Sequence, residues 1–157
     1  MALNYIANAQ LRRLEVGILV SRATATLPAT GAQNIFTVSG GRILLVSLVG
    51  EVTTVIQAQS TTVKVTSTPT TGSAIDMSSA AGDINALEVG GRITLANPPA
   101  SGTALVKTNA GYTNLPAVFT IVPPGTISYT TGATSTGSLK WELIYIPYDD
   151  AAAVAAA

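Results

Sequence analysis

The chain has neither cysteine nor histidine among its 157 residues. Without cysteine it can form no disulfide staple and no thiolate-held metal centre. Without histidine it lacks the side chain that most often binds metals and moves protons near neutral pH. Charge is scarce as well, 10% of residues against about 25% in an average soluble domain. Eight basic and eight acidic side chains cancel, and no basic run is longer than Arg12–Arg13, so the footprint of a nucleic-acid binder is absent. The longest apolar stretch, "ILLVSLVG" at 43–50, is closed by Glu51. That is far short of the roughly 20 residues a membrane-crossing helix needs, so no membrane contact is expected. Arg12 and Arg13 fall where a secretory signal requires an unbroken apolar run, and no such signal is expected.

What remains is apolar and hydroxylated. Hydrophobic residues make up 47% of the chain and its mean hydropathy is +0.43, so threonine, serine, alanine and glycine must supply much of the exterior, or an assembly must bury it. From residue 14 on, short apolar and β-branched segments alternate with Gly, Pro, Ser and Thr clusters: 14–21, 34–38, 42–49, 51–57, 61–67, 91–95, 103–107, 117–122, 126–130 and 138–146. This spacing predicts an all-β domain over 14–148, an antiparallel β-sandwich or jelly roll, or a β-barrel. An extended N-terminal arm (1–13) precedes it and a C-terminal tail (149–157), expected to be exposed or held by a partner, follows. "TTVKVTSTP" alternates cleanly, with Val63 and Val65 facing inward and Lys64 and Thr66 outward. Two Gly-Gly pairs, each followed by Arg-Ile at 40–43 and 90–93, suit turns that need positive φ.

Two segments are apolar on both faces. In "TGSLKWELIYIPYDD", Leu139, Trp141, Leu143 and Tyr145 share one side, while the other runs from charged Lys140 and Glu142 to apolar Ile144 and Ile146. In "RILLVSLVG", Ile43, Leu45 and Val49 fall on one side and Leu44, Val46 and Leu48 on the other, with Gly50 placed as a bulge or bend. One face of an antiparallel strand normally suffices for a core. Leu44, Val46, Leu48, Ile144, Ile146 and Tyr148 are therefore candidate subunit-interface residues. In the arm, Leu3 and Ile6 with Arg12 and Arg13 are candidates for contact with a partner.

Motifs with chemical connotations are weak. "LPATG" at 27–31 matches a sortase signal but precedes more than a hundred residues of domain, so it is a turn between strands. Asp76, Asp83, Asn85 and Glu88 carry oxygen ligands without the spacing of a calcium loop, and paired-carboxylate hydrolysis would need two acids meeting in a cleft. Tyr112, Tyr129, Trp141, Tyr145 and Tyr148 could form a sugar-stacking platform, but aromatics at alternating positions of hydrophobic strands more often serve a core or interface. No nucleophile has a plausible base and no phosphate-cradling loop is present. No enzymatic activity, cofactor or metal is expected.

The segments at 20–54, a short apolar strand running through a Gly-Gly turn into a long buried strand, and at 125–152 resemble small virion proteins of tailed bacteriophages, of the capsid decoration or cement type. That resemblance implies a β-sandwich homotrimer on the outer surface of the phage head, made in the host cytoplasm, with the major capsid protein or other virion proteins as partners. It implies no catalytic residues. The alternative is a phage fibre or surface module that binds glycans through its tyrosines and Trp141.

Overall fold

A computed structural model describes residues 13, 15–29, 31–80, 82–96, 99–108, 110 and 119–157. Twelve strands occur among them: β1 (Ile18–Thr26), β2 (Gly31–Ser39), β3 (Ile43–Thr54), β4 (Thr62–Pro69), β5 (Ile75–Asp76), β6 (Gly82–Asp83), β7 (Arg92–Thr94), β8 (Val106–Thr108), β9 (Thr120–Val122), β10 (Gly125–Thr131), β11 (Ser138–Pro147) and β12 (Ala153–Ala156). Of the expected arm residues, Leu3, Ile6 and Arg12 lie outside the described residues, and Arg13 is exposed.

The pairing is nested. β1 pairs with β11, β2 with β10, β3 with β9 and β4 with β5, all antiparallel, so the first four strands meet the later ones in reverse order. Rolling such a long double ribbon sets β3 beside β11 and β4 beside β10. Two sheets result, β1-β11-β3-β7-β8 with β9 on β3, and β12-β2-β10-β4-β5 with β6 on β4. This is the jelly roll, two sheets packed face to face. The tail is more ordered than expected: β12 adds an edge strand to β2 through its backbone, although its side chains stay mostly exposed.

The sheets enclose one core, with Trp141, Tyr129, Phe36, Ile43, Ile93, Ile127 and Leu143 among its largest buried side chains. Leu139, Trp141, Leu143 and Tyr145 point inward as the alternation of β11 requires, and so do Val63 and Val65 of β4. Tyr129 and Trp141 meet at 5.3 Å between ring centroids. Burial pushes the Tyr129 phenol up to about 12, and its hydroxyl is satisfied by donating to Gln33 Oε1 at 2.7 Å.

The structure corrects two expectations for β3. The segments at 42–49 and 51–57 form one continuous strand through Gly50. Gly50 is no bend: a β-carbon there would lie 2.8 Å from Ile93 and 3.1 Å from the Trp141 ring, so the position is left bare to let the indole lie across it. The irregularity sits earlier. Opposite β11, Ile144 pairs with Ser47 and Tyr145 with Leu45, leaving Val46 as an extra residue. A bulge of this kind reverses the phase of the strand. Ile43 and Leu45 face the core before it, and Leu48, Gly50 and Val52 face the core after it.

The paired Gly-Gly turns behave as expected. Gly40 and Gly90 take φ of 72° and 81°, each is followed by an ion-paired arginine (Arg42 with Asp149, Arg92 with Glu51), and the next residues, Ile43 and Ile93, are fully buried. "LPATG" occupies the β1–β2 connection, with Leu27 buried and Gly31 opening β2.

A candidate interaction face on the first sheet

β11 carries the two-sided pattern into the centre of the first sheet, where neighbours on both edges extend it. On the side of the sheet away from the core, Leu19 of β1 stands beside Ile144 of β11, which stands beside Ser47 of β3, itself buried at 2% exposure. The next row joins Ile146 of β11, Leu44 of β3 and Ile121 of β9. Adjacent strands are about 4.8 Å apart, so these aliphatic side chains form one continuous patch. Leu19 is 57% exposed and Ile121 51%, while Leu44, Val46, Ile144 and Ile146 are half-buried. Phe119, two residues before Ile121, is also exposed.

The other half of the same surface is charged. Lys140 faces Glu51, and Glu51 faces Arg92. Lys140 Nζ reaches Glu142 Oε1 at 2.6 Å and Arg92 reaches Glu51 at 3.3 Å. The charged half thus neutralises itself, with its groups partly exposed to water, where such pairs contribute little to stability. The change of character along β11 therefore marks a boundary across the whole sheet. One half is a solvated ladder of ion pairs and the other is aliphatic, exposed among the described residues at Leu19 and Ile121 and half-buried at Leu44, Val46, Ile144 and Ile146.

At the far end of the patch, Tyr148 is 50% exposed and the Arg42 guanidinium lies over its ring, 4.6 Å from the centroid. Asp149 accepts from the Arg42 backbone N–H at 2.7 Å and from its Nε and Nη2 at 3.0 and 2.8 Å. These hydrogen bonds hold the Asp149 carboxyl down to about 2. On the Ile121 side, the patch runs into an apolar groove of about 170 Å³ between β5 and β9, bordered by Pro69, Ile75, Met77, Val122 and Pro123.

Of the six candidate interface residues, Leu44, Val46, Ile144, Ile146 and Tyr148 lie on or beside this surface. Leu48 does not: it is 1% exposed and packed in the core, because the bulge at Val46 turns it inward, and Val49 takes the outward position. Leu19 and Ile121 were missed as candidates. Each comes from a strand distant in sequence, and only the nested pairing brings them to β11 and β3.

The opposite surface of the sandwich is different in kind. Thr37, Thr126 and Thr68 form one cross-strand row, and Asn34, Ser128, Thr66 and Asp76 form another. It is a ladder of β-branched and polar side chains, exposed at Asn34, Thr37 and Thr68, half-buried at Thr66, Asp76 and Thr126, and buried at Ser128.

The candidate acids do not converge. Asp76 and Asp83 pair with Thr66 and Thr62 of β4, four residues apart and hence about 13 Å along the strand. Asp76 accepts from Thr66 Oγ1 at 2.8 Å and Lys64 Nζ at 3.1 Å. Asp83 accepts from the backbone of Thr61 and Asn85 and from Ser60 Oγ, and Glu88 accepts from the Ala110 N–H. All three carboxylates tie down loops or strands. Among the described residues no three acidic side chains gather into a metal-binding group, and no helix is long and apolar enough to cross a membrane. Tyr129, Trp141 and Tyr145 are buried, and Tyr112 lies outside the described residues. No protein-family model, curated protein or solved structure matches the chain.

Proposed function

We propose that this chain is a structural protein of a virus particle: a jelly-roll subunit that trimerises on the outer surface of a phage head and clamps neighbouring capsid subunits. The observation that carries the proposal is the aliphatic half-face formed by Leu19, Leu44, Ile121, Ile144 and Ile146 on a sheet whose other side already fills the core. Its removal from water contributes roughly 25 cal/mol per Å² of apolar area, and in a closed ring each side chain recurs in every subunit. The low charge and the resemblance of 20–54 and 125–152 to decoration proteins support the same role. The subunit acts by mass action, since a protein that binds only the assembled shell stabilises it in proportion to RT ln(1 + [L]/Kd). A glycan-binding role needs an exposed aromatic shelf. Burial of Tyr129, Trp141 and Tyr145 leaves only Tyr148 exposed among the described tyrosines and tryptophan.

The test is Ile144→Lys with Ile146→Lys, which sets charges into the patch without touching the core. The double variant is expected to be folded and monomeric, and unable to co-sediment with heads stripped of this protein or to raise their melting temperature. An unchanged oligomer, or a wild-type protein monomeric at micromolar concentration, would refute the proposal.

A further inference from the structure

We infer that in the unassembled subunit the aliphatic half-face of the first sheet is the docking site of the same chain's residues 1–12, through Leu3 and Ile6, and that this segment is a shield which subunits displace when they assemble. The shielding role rests on the assembly proposed above; the docking does not.

The described residues fix where that segment starts. Arg13 and Glu15 are helical, Val16 turns, and Gly17 takes a φ of 105°, the kind of positive-φ glycine that closes a helix before the chain changes direction. A β-carbon on Gly17 would lie 2.7 Å from the Tyr145 carbonyl oxygen and 3.1 Å from Ile144 Cγ2. The bare backbone therefore lies flush against the outward side chain of Ile144, and the chain enters β1 at a corner of the patch. Val16 and Leu19, on either side of Gly17, are exposed and continue the apolar surface to the end of the segment. The other end of the chain takes the opposite course: after Tyr148 it crosses to the second sheet, where β12 pairs with β2.

The length and chemistry of the segment suit the face. From β1 across β11 and β3 to Ile121 of β9 is a path of successive neighbouring strands, about 14 Å in all. Twelve residues cover that distance even at the helical rise, which gives about 18 Å. Residues 1–12 contain no acid and Arg12 is their sole charged side chain, while Leu3 and Ile6 have the spacing that shares one side of a helical turn. A segment tethered at the corner of the patch meets it at an effective concentration on the order of millimolar. A free partner at micromolar concentration does not match that.

The absence of native cysteine lets introduced thiols locate the segment. A7C leaves Leu3 and Ile6 in place. It is combined either with I121C, at the far side of the patch, or with S21C, in the charged half of the same face beside Glu142 and about 13 Å along β1 from Gly17, an equal reach. Each chain is oxidised below micromolar concentration, where products between chains are negligible, and run on a non-reducing gel. With the segment docked in about nine subunits of ten, closure of A7C/I121C is expected to exceed that of A7C/S21C by about tenfold, and adding L3D with I6D should abolish the excess. Equal closure, or an excess that survives L3D/I6D, refutes the docking. Sedimentation then tests the shield: deleting residues 2–12, or placing L3D/I6D in the full chain, should lower the concentration at half-assembly by about tenfold or more, because the competent fraction rises from about one tenth to nearly all. If the cross-link forms but that concentration is unchanged, the shield is refuted and the assembly stands. If the cross-link forms and neither chain assembles at any concentration, the assembly falls and the shield with it, and the docked segment is simply the cover of the patch.

Discussion

Truncating Leu48 and Leu44 to alanine separately distinguishes the two sides of β3. Leu48 follows the bulge and is 1% exposed, facing Leu143 of β11. Leu44 precedes it, half-buried on the outer surface beside Ile146 and Ile121. A fully buried leucine loses both its transfer free energy and the packing around the cavity left behind, about 3 kcal/mol within a usual span of about 2.7–5. In a domain of this size each kcal/mol shifts the melting temperature by about 2–4 °C, so Leu48→Ala is expected to lower it by about 6–12 °C. Leu44→Ala in the dissociated subunit leaves no enclosed cavity and should cost about 1 kcal/mol or less. Urea unfolding at concentrations where the protein is monomeric measures both. The sole tryptophan is buried in the core at Trp141 and gives a direct fluorescence signal. Equal costs, or a larger one at Leu44, would mean that the phase of β3 does not reverse at Val46.

Deleting Val46 removes the extra residue and leaves regular alternation from Ile43 through Val52, so the variant is expected to fold with a two-state urea transition; deleting Val49 instead would drive Glu51 toward the core and should leave the chain unfolded by circular dichroism. Below about pH 4 the C-terminal strand should loosen before the core does. Asp149, held down to about 2 by Arg42, contributes stability that is fully present above its unfolded value and lost as pH falls through its folded one. Amide protection at Ala153–Ala157, measured relative to the intrinsic exchange rate at each pH, should fall between pH 4 and 2 while β10 and β11 stay protected, and Asp149→Asn should reproduce the loosening at pH 7; unchanged protection in either experiment would remove Asp149 as the clasp.

The architecture was legible because period-two alternation is a local signal. "TTVKVTS" and "LKWELIY" declare their inner faces without any knowledge of partners, and Gly40 and Gly90 declare their turns through the backbone geometry that L-residues with side chains avoid. The jelly-roll order was not fixed in that way. It pairs β1 with β11 and β2 with β10 across most of the chain, and nothing in either segment names its partner. β12 was invisible for a related reason. "AAAVAAA" has small side chains that carry almost no strand signal, and its order comes from backbone pairing along the β2 edge and from the Arg42–Asp149 clasp.

The face of β3 was misjudged for a subtler reason, and that error explains why the segment looks apolar on both sides. A strand with one bulged residue presents odd positions to the core before the bulge and even positions after it. A run of aliphatics fitted to both phases then reads, without the register, as a strand buried on two sides. Part of the apparent excess in "ILLVSLVG" is therefore core: Leu45 and Leu48 serve one side in succession. What remains outward is Leu44, Val46 and Val49. β11 has no such excuse between Leu143 and Tyr145, because there the alternation is unbroken and Ile144 and Ile146 face out. The surplus of apolar surface thus rests on β11 and on the strands that flank it, Leu19 to one side and Leu44 and Ile121 to the other. It lies in the half of the sheet away from the Lys140–Glu142 and Arg92–Glu51 pairs.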